Sequence, residues 1–355
     1  MKNSKIRLCI AGNLIGRNSG NITTQGQVVA DLFSGDGYDV VSVSSKRNKF
    51  LRLLEIVWTI FRERKRIDVL IVEVYSGLAF ILADVTSLVA TLLRVPSVFV
   101  LHGGNLPDFT KRHTNWVRRV LERADFLVAP SRFLAREMEA HGFCVRIIPN
   151  VIELGTYPNK LRRRISPKLF WMRSFHSIYN PAMAVDVFSL IKADYPAASL
   201  VMAGVDKGLE SEIKSKVSVL GLNDSIRFPG FLDHAGKIRE FANADVYLNT
   251  NRIDNMPVSV LEAWAMGVPV VATNVGGLPY LIETDKTGLL VSDGNVEEMA
   301  NAVKSLLKDQ DLTERISAHG RLQAELSAWS CVRTNWEQVF EQIIPARVLG
   351  QGQQS

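Results

Sequence analysis

Residues 254–279 read DNMPVSVLEAWAMGVPVVATNVGGLP. Apolar residues recur at helical spacing over 258–266, which predicts a helix followed by a strand and a Gly-Gly turn. Ser259 lies at the start of this helix, where free backbone N–H groups favour an anion such as a diphosphate. Glu262, one turn later, would then accept hydrogen bonds from a ribose. The alternative is that Ser259 only caps the helix and that Glu262 faces solvent.

The rest of the chain alternates short β-branched runs with helical patterns, which predicts parallel sheets covered by helices on both faces. The strands of the first half are predicted at IRLCIAG, YDVVSVSS, DVLIVEV, PSVFVLH, DFLVAPS and VRIIPN, and those of the second at PKLFWM, ASLVMAG, SIRFPG, DVYLNT, VPVVAT and GLLVS. We therefore expect an α/β chain of two Rossmann-like, doubly wound domains that face each other across a cleft. The predicted divisions are a first domain at 1–152, a linker at 153–166, a second domain at 167–328, a helix at 329–344 that either crosses back to the first domain or caps its own, and a tail at 345–355.

Composition limits the class of protein. The 355 residues are 47% hydrophobic and 22% charged, as in a globular protein, and no apolar stretch is long enough for a transmembrane helix. The three cysteines form no C-x-x-C pair, which indicates thiols in a reducing compartment, so we expect a cytoplasmic protein. Residues 1–164 carry a net charge of +11 and the remainder −5. This asymmetry indicates either a polyanionic partner for the first half or an uneven solvated surface.

The stretch at 254–279 resembles the donor-site signature of retaining GT-B glycosyltransferases of the family-4 type. That family has two glutamates separated by seven residues, then A-x-A-x-G-x-P-V-V-A-T and a Gly-Gly pair. Further segments are similar to other parts of that family: SIRFPGFLDHAGKIREFANADVYLNT, SPKLFWMRSF, VLHGGN, PNVIE and TGLLVSDGNVEEMANAV. The resemblance spans most of the chain and implies transfer of a sugar from a nucleotide-sugar donor.

The resemblance also implies site residues. Glu262 matches the carboxylate that holds the ribose, Asp254 the acidic residue beside the transferred sugar, and Arg173 the arginine that neutralises the leaving diphosphate. His102, at the end of a strand, matches the histidine that contacts the transferred sugar; a structural histidine is the alternative. The remaining implied donor-binding residues are Asn255, Met256, Pro257, Val258, Ser259, Gly204, Phe231, Leu232 and Tyr179.

Retention in this family is thought to proceed by front-face attack, with no enzymic nucleophile. An arginine and a helix N-terminus can stabilise a leaving diphosphate, so no metal and no cofactor are expected. The D-x-D at Asp309 and Asp311 falls between two predicted helices, where it indicates a cap or a solvated turn.

Three positions depart from the family pattern. Ile178 and Tyr179 stand where a phosphate-binding lysine is usual, Tyr280 replaces a glutamate, and Asp254 is one methylene shorter than the usual residue. These changes leave open a subfamily with altered donor contacts, and also a weak or inactive relative that binds a sugar nucleotide as a scaffold.

A glycine-containing loop, AGNLIGRNSGN, follows the first strand. Gly12, Gly16 and Arg17 are candidates for contact with donor or acceptor, because glycine lets backbone approach a ligand closely. The spacing is not that of a nicotinamide fingerprint, and a plain β–α turn is the alternative.

Two segments combine apolar and basic residues, at 46–66 and 111–119. Such segments can lie on an anionic membrane surface, although a core helix with solvated ends is the alternative. We therefore expect a UDP-sugar as donor, a saccharide or a lipid-linked acceptor, and peripheral contact with the inner face of a membrane. Less favoured alternatives are an epimerase or sugar-phosphate synthase of the same fold and a binder of nucleic acid. No basic–aromatic nucleic-acid module is present, so nucleic acid is not an expected partner.

Overall fold

A computed structural model describes residues 6–14 and 23–351, with side chains described as far as residue 344. The described chain divides into two compact units. One comprises the described residues up to Val151 together with those from Trp329 onward, and the other comprises Ile152–Ala328.

The first unit contains a six-stranded, fully parallel sheet with the order β2-β1-β3-β4-β5-β6. Its strands are β1 Arg7–Ala11, β2 Asp39–Val43, β3 Val69–Val74, β4 Ser97–Leu101, β5 Phe126–Ala129 and β6 Val145–Ile147. Its helices are α1 Gln25–Gly35, α2 Lys49–Glu63, α3 Phe80–Leu92, α4 Leu106–Arg112, α5 Thr114–Leu121, α6 Arg132–Glu139 and, from the far end of the chain, α14 Trp329–Gln351. Every residue of β3 is buried, as expected of a parallel strand covered on both faces.

The second unit repeats this architecture with the strand order β12-β11-β10-β7-β8-β9. Its strands are β7 Lys168–Met172, β8 Ser199–Ala203, β9 Ile226–Gly230, β10 Val246–Asn249, β11 Val270–Thr273 and β12 Leu289–Val291. Its helices are α7 Pro181–Asp194, α8 Glu210–Val219, α9 His234–Asn243, α10 Val258–Ala265, α11 Leu278–Leu281, α12 Val296–Lys308 and α13 Gln310–Glu325. In both sheets the strand order reverses beside the first strand of the unit, so the predicted α/β, doubly wound fold is confirmed.

Residues 153–166, which the sequence predicts to be a linker, pack within the second unit. Arg162 is buried, and its guanidinium donates to the carbonyl oxygens of Met266 at 2.6 Å, Phe241 at 3.1 Å and Ala244 at 3.2 Å. The basic cluster LRRR therefore includes a structural arginine that ties this stretch to the sheet and helices of the second unit.

Helix α14 packs on the first unit. The rings of Trp336 and Phe340 are buried there, and Trp329 lies edge-on to Phe33 of α1 with 4.8 Å between ring centroids. The Trp329 indole also donates to Asp36 Oδ2 at 2.7 Å. The chain therefore leaves the first unit after β6, forms the second unit, and returns to the first for its last helix.

Candidate functional site

Arg173 and Asp254 meet at the carboxyl edge of the second sheet. Arg173 follows β7 and Asp254 lies in the loop after β10, and the guanidinium contacts Asp254 Oδ2. The same oxygen accepts from Asn251 Nδ2 at 2.5 Å, while Oδ1 accepts from the backbone N–H of Asn255 at 2.8 Å. Burial alone would lower the pKa of Arg173, but the adjacent Asp254 carboxylate outweighs it and raises that pKa. A fixed, permanent positive charge therefore stands at this edge.

Tyr179 holds the other side of the arginine. The Arg173 Cζ lies 4.3 Å from the centroid of the Tyr179 ring, in a cation–π contact. The Tyr179 backbone is itself fixed, because its carbonyl oxygen accepts from Thr250 Oγ1 at 2.7 Å, and Thr250 accepts from Trp171 Nε1 at 2.9 Å. The position where the family resemblance implies a lysine thus carries an aromatic face that orients the guanidinium.

Glycines let the loops at this edge touch backbone to backbone. Gly204, after β8, has a φ of +150°, and a Cβ there would lie 1.8 Å from the carbonyl oxygen of Arg173. A Cβ on Gly277 would lie 1.7 Å from the carbonyl oxygen of Asn255, and the Gly277 N–H donates to the backbone carbonyl oxygen of Asp254 at 2.9 Å. Gly204 and the Gly-Gly turn therefore fix the positions of Arg173 and Asp254, and larger residues would displace both loops.

Helix α10 begins at Val258, at the end of the loop that carries Asp254 and Asn255. Pro257 occupies its N-cap position, no described side chain caps it, and its first turn carries no acidic residue. Ser259 does not cap the helix, since no side-chain hydrogen bond caps the N-terminus of α10 and the Ser259 side chain is buried. Met256 and Val258 turn their side chains onto the core, which leaves backbone as the part of these residues that can meet a ligand. An uncapped N-terminus of this kind attracts an anion.

Glu262 lies inside the second unit, with 3% of its surface exposed. The Tyr157 hydroxyl donates to Glu262 Oε1 at 2.9 Å, and Lys237 Nζ contacts the same oxygen. Burial and the nearby carboxylate raise the pKa of Tyr157. The alternative in which Glu262 faces solvent is therefore wrong, because the carboxylate is buried and hydrogen-bonded. Neither Tyr157 nor Lys237 was a candidate from the sequence.

Phe231 and Leu232 follow β9. Phe231 is exposed, whereas Leu232 is partly buried against the core that contains α10. Asp233, the next residue, caps α9 by accepting from the Gly236 N–H at 2.7 Å. This turn therefore presents one exposed aromatic ring near the start of the helix that carries Lys237, and such a ring can stack on a planar ligand.

The first unit has its own polar cluster, at the carboxyl ends of β3 and β4. His102 Nε2 lies 2.6 Å from Glu73 Oε2, and both side chains are buried. The Tyr75 ring stacks on the imidazole, with 4.9 Å between centroids. Burial first, and then the Glu73 carboxylate, raises the pKa of the Tyr75 hydroxyl. His102 therefore lies where a strand ends, as its candidate role requires, with a carboxylate partner that the sequence analysis did not identify.

Gly12 and Gly26 provide the space for Glu73. A Cβ on Gly12 would lie 2.6 Å from Glu73 Cγ, and one on Gly26 would lie 2.7 Å from Glu73 Cδ. Gly12 therefore accommodates a buried carboxylate, whatever else its loop does. The other two candidates of that loop, Gly16 and Arg17, lie outside the described residues.

The described residues contain no group of three or more His, Cys, Asp or Glu side chains that could hold a metal ion. The D-x-D at Asp309 and Asp311 is a helix cap: Asp309 Oδ1 accepts from the N–H groups of Asp311 at 3.0 Å and Leu312 at 2.9 Å, at the start of α13.

Comparison with known families covers both units. The family model "Glycosyl transferases group 1" matches residues 161–323, and the model "Glycosyltransferase Family 4" matches residues 26–156. The chain belongs to the group 1 glycosyltransferases of family 4. Arg173, Asp254 and Glu262 fall inside the first match and His102 inside the second.

Relatives of this glycosyltransferase are distant. A phosphatidyl-myo-inositol mannosyltransferase of Mycobacterium leprae is 27% identical over 235 residues, which are 64% of this chain and 61% of that protein. A D-inositol 3-phosphate glycosyltransferase of Jonesia denitrificans is 28% identical over 48% of this chain and 42% of its own length. The chain thus spans less than two thirds of these relatives.

Solved structures match over nearly the whole chain. A sucrose-phosphate synthase of Thermosynechococcus elongatus superposes with a TM-score of 0.79 at 17% identity, covering 96% of this chain and 100% of that one. An Anabaena protein, Alr3699/HepE, solved in complex with UDP and glucose, superposes with a TM-score of 0.72 at 16% identity, covering 95% and 99%. At these identities the likeness shows the fold, and it confirms the predicted two-domain GT-B fold.

Sequence reasoning on this glycosyltransferase missed three residues that contact its candidates: Tyr157, Lys237 and Glu73. For Glu73 a signal was present, since a single carboxylate inside the otherwise apolar strand VLIVEV is costly to bury unless it has a partner. For Tyr157 and Lys237 no local pattern points to Glu262, because the contacts span 105 and 25 residues of sequence.

Proposed function

We propose that this group 1 glycosyltransferase moves a sugar from a UDP-sugar to a hydroxyl group of a saccharide or lipid-linked acceptor, with retention of anomeric configuration. The observation that supports this most strongly lies within the second unit. Arg173, fixed by Asp254 and Tyr179, stands at the same sheet edge as the uncapped N-terminus of α10. These are two sources of positive charge suited to one diphosphate.

The donor would lie along this edge. The diphosphate would meet Arg173 and the first-turn backbone of α10, and the ribose hydroxyls would donate to Glu262. The exposed ring of Phe231 would flank the base. The Anabaena protein was solved in complex with UDP, with UDP and glucose, and with UDP-glucose, which favours uridine as that base.

The chemistry needs no nucleophile from the protein. The bond between the anomeric carbon and the diphosphate oxygen breaks while the acceptor oxygen bonds to that carbon on the same face. The acceptor proton passes to the departing phosphate oxygen. Arg173 and the α10 N-terminus would stabilise the negative charge that builds on this oxygen, and the chemistry as proposed uses no metal ion. Asp254 would contact the transferred sugar.

A second function, binding of a sugar nucleotide without turnover, is supported by one observation. Tyr179 carries no charge, and its ring faces the arginine where the resemblance implies a second cation. Loss of a charge-assisted contact costs about 1.5–3 kcal/mol, which would slow departure of the diphosphate.

Two measurements test these functions. In a thermal-shift panel of UDP, GDP and ADP, we expect UDP to raise the melting temperature most, since a ligand that binds the folded state stabilises it by mass action. In a donor-hydrolysis assay with UDP-sugars and EDTA, we expect release of UDP. Binding of UDP without any release would favour the second function, and no shift with any nucleotide would contradict both.

Variants of Arg173 separate binding from chemistry. Arg173→Ala should lower kcat more than donor affinity, because the contact strengthens as charge develops in the transition state. The matched control is Arg227→Ala, since Arg227 is an exposed arginine of the same unit that pairs with Glu240. Equal loss of kcat and affinity in Arg173→Ala would contradict a role in departure of the diphosphate.

A further inference from the structure

Helix α2 presents large apolar side chains to the outside of the first unit. Its buried face is formed by Arg52, Ile56 and Ile60. On the opposite side, Phe50 is 67% exposed and Trp58 is 63% exposed, although both are large aromatic residues. A contiguous patch of large exposed apolar side chains marks an interaction site.

Helix α3 extends this surface. Leu54, Trp58 and Phe61 of α2 line a groove together with Val89 and Leu92 of α3. Leu92 is 73% exposed. We call the exposed side chains of the two helices the α2–α3 apolar face: Phe50, Leu54, Trp58, Phe61, Leu88 and Leu92.

Cations flank this face at both ends of α2. Residues 46–49 carry three exposed basic side chains and residues 62–66 carry four basic side chains, of which Arg64 lies partly buried with its Cζ 4.5 Å from the centroid of the Phe61 ring. The two acidic residues of the helix have partners inside the unit: Glu55 contacts the buried Ser44, and Glu63 pairs with Arg7 at 2.9 Å. The surroundings of the apolar face are therefore positively charged.

We propose that the α2–α3 apolar face docks on an anionic lipid bilayer, with α2 parallel to the membrane plane. A 15-residue helix is about 22 Å long, so its two basic ends would lie over lipid headgroups while its aromatic residues enter the acyl boundary. No described helix is long and apolar enough to span a bilayer, so the contact would be interfacial.

The charge pattern selects this occupant over a second copy of the chain. In an isologous dimer the same patch meets itself, so the basic ends of α2 would face basic ends of its copy. Anionic headgroups complement those ends, and each cation near such a surface contributes favourably to binding.

The structure also narrows the surface predicted from the sequence. Trp116, in the second basic segment 111–119, is partly buried, and its indole donates to Asp84 Oδ2 at 2.7 Å. Arg119 lies 3.6 Å from the same carboxylate. The proposal therefore rests on α2 and α3.

Vesicle flotation of the full chain tests the proposal. With vesicles of phosphatidylcholine and phosphatidylglycerol we expect the protein to float, and with phosphatidylcholine alone, or at high salt, we expect at least tenfold weaker binding because the cations are screened or unpartnered. Failure to float with anionic vesicles at low salt would overturn the proposal.

Two pairs of variants locate the surface. Trp58→Gln with Phe61→Gln should weaken vesicle binding at least tenfold, whereas Val219→Gln with Leu322→Gln, at exposed apolar positions of the second unit, should leave it unchanged. Lys49→Gln with Lys65→Gln should weaken it roughly thirtyfold, against the equally charge-reduced control Lys168→Gln with Lys308→Gln. Equal effects of test and control pairs would overturn the proposal.

Two further readouts keep the test decisive. Circular dichroism melting shows whether a variant is folded, and the charge pair, which replaces exposed residues, remains informative if the aromatic pair does not fold. Light scattering reports the oligomeric state, and a dimer that the aromatic pair dissociates, without vesicle binding by the native chain, would assign the face to self-association and overturn the proposal. UDP-induced thermal shifts should be the same in every variant, so failure of the membrane proposal is distinguishable from failure of the proposed function.

Discussion

The substitution Asp254→Asn removes the negative charge that Arg173 contacts. Asparagine keeps the size of the side chain and one carbonyl oxygen that can accept from the guanidinium. The substitution therefore tests a specific consequence of the geometry. Asp254 steadies Arg173, but its charge also opposes any diphosphate that approaches the same arginine.

The expected magnitudes follow from burial of the pair. The side chain of Arg173 is 17% exposed and that of Asp254 is 12% exposed, so the pair is neither fully desolvated nor at the surface. Breaking a buried pair costs about 3–5 kcal/mol. Because asparagine retains an acceptor, we expect a loss of about 2 kcal/mol, or about 4–8 °C in the melting of the second unit.

The substitution should weaken the fold but strengthen the binding of UDP. Two like charges about 6 Å apart repel by about 2–3 kcal/mol at an effective dielectric constant of about 20. Relief of part of this repulsion should tighten UDP binding about tenfold. If 1 mM UDP is about tenfold above the native Kd, its stabilisation should rise from about 1.4 to about 2.7 kcal/mol in the variant.

Three quantities are measured for the variant. Thermal unfolding with and without UDP gives stability, titration calorimetry gives the affinity for UDP, and an assay with a UDP-sugar gives turnover. We expect lower stability, tighter UDP and at least tenfold lower turnover, since Asp254 is proposed to contact the transferred sugar. The control is Asp194→Asn, because Asp194 pairs with Lys304 at 2.6 Å with 57% of its side chain exposed, and such an exposed ion pair contributes little to stability.

Weaker UDP binding by Asp254→Asn would refute this reasoning. It would mean that Asp254 serves the nucleotide mainly by holding Arg173 in place, and that competition for the guanidinium is negligible. Unchanged turnover would separately exclude the proposed contact between Asp254 and the sugar.

Three further predictions concern other parts of the chain. Gly277→Ala should destabilise the second unit by about 3 kcal/mol in urea unfolding, because the new Cβ would lie 1.7 Å from a carbonyl oxygen. The control Gly155→Ala, whose Cβ would have no atom within 4 Å, should change stability by less than about 0.5 kcal/mol. Equal effects of the two substitutions would contradict the close approach at Gly277. Burial raises the pKa of Asp84, but its hydrogen-bonded tryptophan and arginine partners outweigh burial and leave that pKa below its usual value. The contribution of Asp84 to stability should therefore be present above about pH 4 and be lost as pH falls through the lowered pKa. Asp84→Asn should flatten this part of the acid unfolding profile, and an unaltered profile would contradict the assignment. Burial raises the pKa of the Cys9 thiol to about 12. A thiol reagent at neutral pH should therefore label the two exposed cysteines quickly and Cys9 only on unfolding. Rapid labelling of all three thiols would contradict this prediction and show that β1 is accessible.

The sequence predicted the strands well because their pattern is local. Each of the twelve strands of the described chain lies inside a segment that the sequence predicts, since buried parallel strands read as short apolar runs between helical patterns. The packing of residues 153–166 could not be predicted in this way, because Pro, Gly and a run of basic residues are typical of a linker. What places this stretch in the second unit is Arg162, whose carbonyl acceptors lie 79 to 104 residues away in sequence.

The candidate site shows the same division. Arg173, Asp254 and Glu262 were identified because a family resemblance supplies their spacing along the chain. Their partners depend on which loops the strand order brings together at the carboxyl edge of the second sheet. No local sequence pattern predicts that β7 lies between β10 and β8. Tyr179 was a donor-binding candidate from the sequence, but no local pattern indicates that its ring stacks on the Arg173 guanidinium.

The two charged groups that we assign to the nucleotide part of the donor each have a partner within the second unit: Arg173 has Asp254, and Glu262 has Lys237. These pairings lower the cost of holding charges away from water, and they keep the side chains in one orientation. A donor would therefore exchange partners with groups that are already ordered. Its affinity would depend on the difference between the diphosphate and Asp254 as partners of Arg173, and between the ribose and Lys237 as partners of Glu262. Donor affinity in this chain should accordingly be tuned by Asp254 and Lys237, which need not touch the nucleotide, as strongly as by the residues that do.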